Sequence, residues 1–480
     1  MAIDCLFSLD SESDTLHSQL LLSHKYFSVA FQLNDDIQDF KDDFKKGQFN
    51  WAIHLLKQQN IPDHEPEILE KYLYVRGISK QMYQLGIEYC EKALEIVLKI
   101  DVPKWKKILL DTKRTFATAI IEIDTYLEIL TSEIALSNEL MTNLSIQNSV
   151  NAAVSFLKSK QHENGAWREY VNQGGISNTW STAFILSKIS ENSKLKFIFK
   201  EEITKALDFL SSKPSTMLWS YNTTWIEDAD STNFAFLSHL FNDKAIDKDL
   251  LAKWSTFQNT DGAFSTYLQS SNLITTLNDK NISDATGWLA NHDCVSAVSF
   301  YFLALQNLKN ESYTKIKTYF DSNFRNKIKS YWWTNDIYAY YYLAKTYDLI
   351  KDKEKLDFII NEVKMKQNKN GSFSDAYGES FFYTGLALEI LLLATGNNLD
   401  LQIEKTISFL LKNQFTDGSW DNSNALQIPD AQDIIPVNAY FPVATYGVNV
   451  RAKEFNRLFT TSSILKSLSI YGTKSNSGTF

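Results

Sequence analysis

Four copies of one seven-residue pattern constrain this chain more than any other feature: QHENGAW at 161–167, QNTDGAF at 258–264, QNKNGSF at 367–373 and QFTDGSW at 414–420. Asn-Gly and Asp-Gly are strong turn signals, and each copy follows a stretch with helical apolar spacing. The reading is that glycine ends the helix and the aromatic packs back onto it. A second helix starts after each turn, at Thr179, Asp293, Ser380 and Phe459, and degenerate copies at Leu218-Trp219 and Tyr331-Trp332-Trp333 fill the gaps. Six helix pairs over about 330 residues cannot each bury an apolar face alone, so they must stack, and closing the stack makes a ring. The expectation is an all-α chain whose residues 146–480 form an (α/α)6 toroid.

Sixteen glycines and seven prolines in 480 residues are few enough for a mostly helical protein. A 44% hydrophobic share beside 22% charged residues excludes a disordered chain. The net charge of −9 argues against nucleic acid as a partner. Three cysteines, Cys5, Cys90 and Cys294, have no paired spacing, which fits a reducing cytoplasm. No secretory leader is expected, nor any transmembrane segment, because no run reaches about 18 apolar residues.

The four turns resemble the QW repeats of squalene-hopene and oxidosqualene cyclases and of related terpene cyclase and prenyltransferase toroids. Trp225-Ile-Glu-Asp228-Ala-Asp230-Ser231-Thr232 resembles the Asp-x-Asp-Asp-Thr motif of class II terpene cyclases, with Ser231 standing where the third Asp belongs. The resemblance makes Asp230 the proton donor and Asp228 its upstream partner. Protonating an unactivated double bond needs a strong acid held neutral in a dry cavity, with a group that stabilises the carboxylate left behind. Two carboxyls at i and i+2 at a helix start can share one proton; either can instead serve as an N-cap.

A carbocation needs walls that stabilise charge without attacking it, and aromatic faces do so. Trp180, Phe234, Trp288, Trp333, Tyr338 and Phe382 stand where inner helices begin and are read as cavity wall. His292 and Asp293 are read as capping the third inner helix and lining the cavity, with Asp293 a reserve acid.

Residues 1–145 form a second region, with helices expected from Leu16 to Lys46, Glu65 to Leu98 and Lys104 to Ile134. Asp35, Asp36 and Asp39, with Asp42 and Asp43, place carboxylates along a helix, and one face of such a helix can hold magnesium and through it a diphosphate. With Lys45-Lys46-Gly47 after it, the run resembles the second aspartate-rich motif of class I isoprenoid synthases. The region is therefore read as part of such a helical bundle, although Asp4, Asp10 and Asp14 do not reproduce the first motif.

Three functional readings follow. The leading one is a terpene cyclase that protonates a linear isoprenoid or isoprenyl diphosphate from Asp230. The second is one subunit of a magnesium-dependent class I enzyme completed by a partner chain. The third is a toroid that only binds lipid or scaffolds a partner.

Overall fold

The computed structural model describes residues 14–59, 61, 64–142, 145–268, 272–277, 282–307, 310–324, 328–394, 401–436 and 440–476. Asp4, Cys5 and Asp10 lie outside them. The chain divides into two compact units, 1–134 and 135–480. The sequence reading set the division near 145; the segment from Ser137 to Met141 is tied into the second unit, with Met141 N donating to Gln414 O at 2.7 Å.

The first unit comprises α1 (Asp14–Gln38), α2 (Phe40–Lys46), α3 (Trp51–Lys57), α4 (Pro66–Val75), α5 (Ile78–Ile96) and α6 (Pro103–Ile134). Two expected helices are each broken in two. The first is interrupted at Asp39. The second stops at Gly77, whose φ of 73° lies in the left-handed region that a helix interior does not use. Gly47 ends α2 as expected, with φ 67°. Ala30, Leu33, Ile37 and Phe40 pack on Leu69, Leu73, Met82 and Phe116 to make the unit's core.

In the second unit twelve helices alternate between two roles. The outer set is α7 (Ile146–Ser159), α9 (Lys200–Ser211), α11 (Lys248–Ser255), α13 (Glu311–Asn323), α15 (Lys353–Met365) and α17 (Leu401–Lys412); the inner set is α8 (Thr179–Glu191), α10 (Ala229–Phe241), α12 (Asp293–Leu305), α14 (Ile337–Ile350), α16 (Phe381–Leu392) and α18 (Leu458–Asn476). Outer helices bury one stripe, such as Val150, Val154 and Leu157 of α7. Inner helices are covered all round: α8 buries every residue from Thr179 to Ser190. Each inner helix packs on the next, and α18 packs on α8, so the ring closes. Among the described residues the strands are short antiparallel ladders, β1 (Glu169–Asn172) with β2 (Gly175–Ser177), β3 (Ser374–Asp375) with β4 (Gly378–Glu379), and β5 (Gln427–Ile428) with β6 (Val450–Arg451).

The repeated turns fasten neighbouring outer helices together. Gln161 Nε2 donates to Gly165 O and to Glu202 O of the next outer helix, both at 2.9 Å. Gln258 does the same to Ser312 O, Gln367 to Gln402 O and Gln414 to Ser149 O, the last closing the circle onto α7. Trp167 and Trp420 send Nε1 back to Leu157 O and Leu410 O of the helix just completed, as expected of the aromatic. The glycine has a different role from the one expected. The helices end several residues earlier, at Ser159, Ser255, Met365 and Lys412. Glycine is required because the next outer helix runs against it: a Cβ on Gly418, at φ 92°, would sit 2.2 Å from Ala152 O. Gly418→Ala is expected to cost about 3 kcal/mol, combining backbone strain and overpacking. Gly378→Ala, also at positive φ but with open space around it, should cost less. Equal urea midpoints for the two variants would show that close approach is not what selects glycine here.

Candidate active site

Six inner helices in one register bring six first-turn residues together. The second residue of each is Trp180, Asp230, Cys294, Tyr338, Phe382 and Phe459. Trp180 lies 4.7 Å from Phe459 and 6.1 Å from Trp333, and Trp333 stacks on Tyr338 at 4.1 Å and on Phe382 at 5.1 Å, all between ring centroids. One turn deeper, Phe184 meets Phe234 at 5.1 Å. Against this aromatic layer opens a small cavity of about 70 Å³. Asp228 and Asp230 share its wall with Trp180, Trp332 and Trp333, with Tyr221 and Tyr267, and with Leu426 and Ile428. The last two come from the long C-terminal connection, held in place where Ala452 N donates to Leu426 O and Gln427 N to Trp332 O.

The two aspartates have different roles. Asp228 is the N-cap of α10: Oδ1 accepts from Ser231 N at 2.6 Å and Oδ2 from Ser231 Oγ at 2.8 Å. Burial pushes its carboxyl up to about 7, against those hydrogen bonds. Asp230 sits in the first turn with Oδ2 accepting from Trp180 Nε1 at 2.9 Å. Its Oδ1 is shielded and has no hydrogen-bond partner among the described residues. Burial, and then the neighbouring Asp228 carboxyl, hold Asp230 well above the usual carboxylate range, only partly offset by the indole. Both effects favour the protonated form of the Asp230 carboxyl. An indole N–H can only donate, so Oδ2 is the acceptor and the acidic hydrogen belongs on Oδ1. No hydrogen bond joins the Asp228 and Asp230 carboxyls, so the proton sharing that the sequence suggested is not formed; Asp228 faces Ser231 instead.

Of the expected wall residues, Trp180 and Trp333 line the cavity. Phe234, Tyr338 and Phe382 belong to the ring layer behind it. Trp288 does not face it: its Nε1 donates to Pro429 O at 3.0 Å and its ring lies 5.6 Å from Trp332. His292 and Asp293 are corrected too. His292 is fully buried against Tyr331, with Nε2 at 2.9 Å from Gly287 O and Nδ1 at 2.7 Å from Thr266 Oγ1. Burial lowers it to about 3, so it is a neutral core residue that orients Thr266 on the wall. Asp293 accepts from Tyr319 OH and Lys329 N, spending both oxygens away from the cavity.

In the first unit Asp36 is buried and accepts from Trp51 N at 2.7 Å and Gln32 Nε2 at 2.8 Å, holding the start of α3. Asp39 is exposed at the helix interruption, and Asp35 is half-buried. Among the described residues no three His, Cys, Asp or Glu side chains gather to hold a metal by themselves.

Three solved structures share the fold. A variant of the type II terpene cyclase MstE from Scytonema in complex with merosterolic acid A (product) is 22% identical at a TM-score of 0.60, over 68% of this chain and 97% of its own. A variant of the same cyclase in complex with geranylgeranyl dihydroxybenzoate (substrate) gives 22% and 0.59 over the same shares. A protein from Actinoplanes gives 19% and 0.61, over 68% of this chain and all of its own. No protein-family model matches the sequence, and no curated protein matches it. The chain has the α/α-toroid fold of the type II terpene cyclases.

Proposed function

We propose that the toroid cyclises a linear isoprenoid, starting the reaction by proton transfer from Asp230 to a carbon–carbon double bond. The observation that carries this reading is a neutral carboxyl whose hydrogen-bearing oxygen has no protein partner, in an aromatic-walled cavity. The Asp230 O–H bond breaks as the alkene π electrons take the proton, leaving a tertiary cation that the next double bond attacks. Trp180 Nε1–H and the N-terminal end of α10 stabilise the carboxylate. The faces of Trp180, Trp332 and Trp333 attract the moving charge by roughly 0.5–2 kcal/mol each. Loss of a proton from carbon ends the sequence, so the product is an isomer of the substrate. The MstE complexes with substrate and product support the reading.

No helix among the described residues is long and apolar enough to cross a membrane. The unpaired buried thiols of Cys90 and Cys294 fit a reaction in a reducing compartment, and we assign it to the cytoplasm.

Incubation with linear isoprenoids should yield cyclic isomers by mass spectrometry; recovery of unchanged substrate alone sinks the reading. The pH profile tests the carboxyl pair. As pH rises through about 7, Asp228 ionises and makes a second carboxylate at Asp230 harder to form. Activity should therefore fall on the alkaline side, and Asp228→Asn should lose that descending limb. A limb that survives in Asp228→Asn belongs to another group.

A further inference from the structure

Charge and donors along the cavity wall bear on which isoprenoid it takes. Among the described wall residues the groups that carry charge most readily are Asp228 and Asp230, and no lysine, arginine or histidine joins them. A diphosphate in this space would lack a counter-cation and would face two carboxyls, one already unable to ionise. The same wall does offer two neutral donors, Asn172 and Tyr267. Asn172, on the β1–β2 hairpin, accepts from Gly174 N at 2.8 Å through Oδ1, which fixes the amide and leaves Nδ2 without a protein partner. Tyr267 OH accepts from Trp225 Nε1 at 3.1 Å, so its own hydrogen remains to be given. Burial and the two aspartates keep that phenol protonated. Trp225 links the two donors, because its ring lies flush against Gly174: a Cβ there would come within 3.1 Å of it.

We propose that the isoprenoid ends in an uncharged oxygen function, an alcohol, phenol, ether or carbonyl, held by Asn172 Nδ2 and Tyr267 OH, rather than in a diphosphate. This rests on the cyclisation reading for its substrate class, but binding tests it separately from turnover. Quenching of tryptophan fluorescence in the Asp230→Asn protein measures affinity for geranylgeraniol, for geranylgeranyl diphosphate with and without magnesium, and for squalene.

Geranylgeraniol should bind about tenfold or more tightly than the diphosphate under either condition. Tyr267→Phe and Asn172→Asp should each weaken geranylgeraniol about fivefold and leave squalene unchanged, each having removed one donor to oxygen. Asn172→Asp keeps the acceptor for Gly174 N, so the hairpin is retained if the tyrosine variant fails to fold. Diphosphate binding as tight as the alcohol, unaltered alcohol affinity in a folded variant, or no saturable binding of any of the three overturns the proposal. Selective alcohol binding beside a wild-type protein that forms no cyclic product would overturn only the cyclisation reading.

Discussion

Asp230→Asn removes cyclic product by about 10³-fold or more while the protein melts as the wild type does. The substitution is chosen because it changes little else. An asparagine carbonyl oxygen still accepts from Trp180 Nε1, which lies 2.9 Å from Oδ2, and the amide occupies the volume of the partnerless Oδ1. What is lost is the acidic hydrogen. A carboxyl in water is mostly ionised at neutral pH and has no proton to give; this one is kept neutral by burial and by Asp228. Product formation at the wild-type rate would remove Asp230 from the mechanism, and loss of product together with a large drop in melting temperature would assign it a structural role.

The second large effect concerns the ring itself. At the end of the inner helices opposite the cavity, Glu191 and Glu389 meet Lys345 and Lys466 in a buried network. Lys345 Nζ is 2.5 Å from Glu191 and 3.6 Å from Glu389, Lys466 Nζ is 2.9 Å from Glu389 and also pairs with Glu191, and Tyr301 OH donates to Glu191 at 2.6 Å. These groups come from α8, α12, α14, α16 and α18, so five inner helices are joined across the ring. Burial alone would raise Glu191, but Lys345 and Lys466 outweigh it and keep the carboxylate ionised. Among the described residues Lys188 stands beside them without a hydrogen-bond partner, 3.8 Å over the Tyr341 ring, and burial, then the nearby Lys466, hold it well below the usual lysine range. The two acids and two paired lysines therefore balance. Glu191→Ala leaves two buried ammonium groups sharing one carboxylate and is expected to cost about 4 kcal/mol, read from the urea midpoint. Glu311→Ala, which breaks an exposed pair with Lys315, should leave the midpoint where it was. Similar midpoints for both variants would mean that the network does not hold the ring.

Features carried by a short stretch of sequence were legible; features assembled from distant stretches were not. The glycine turns are local, and their number implied the six pairs. Asp230 was found because its motif is contiguous. Glu191 and its partners sit 110 to 275 residues apart in the chain and show no spacing that marks them. Phe459 was missed as part of the aromatic layer behind the wall although its register carries the signal, since it is the second residue of α18 as Trp180 is of α8. Leu426, Ile428 and Tyr267 come from connections whose course depends on long-range contacts. His292 and Asp293 were misread for one reason: a polar residue at a helix start serves a backbone or a cavity equally well by sequence, and here backbone and core groups claim both; Asp36, near the end of α1, is claimed by the backbone N–H of Trp51, which no spacing marks. The glycine was assigned to the helix end because only its own helix was visible, whereas the backbone that demands it belongs to the next one.

The central claim, that Asp230 passes a proton to an alkene carbon, is tested most directly by turnover in deuterium oxide. The Asp230 hydrogen exchanges with solvent, while the substrate's C–H bonds do not. The account predicts one non-exchangeable deuterium in each cyclic product, raising its mass by about one unit, at the carbon where cyclisation begins. Cyclic product free of deuterium would show that the reaction starts by another route and would contradict it.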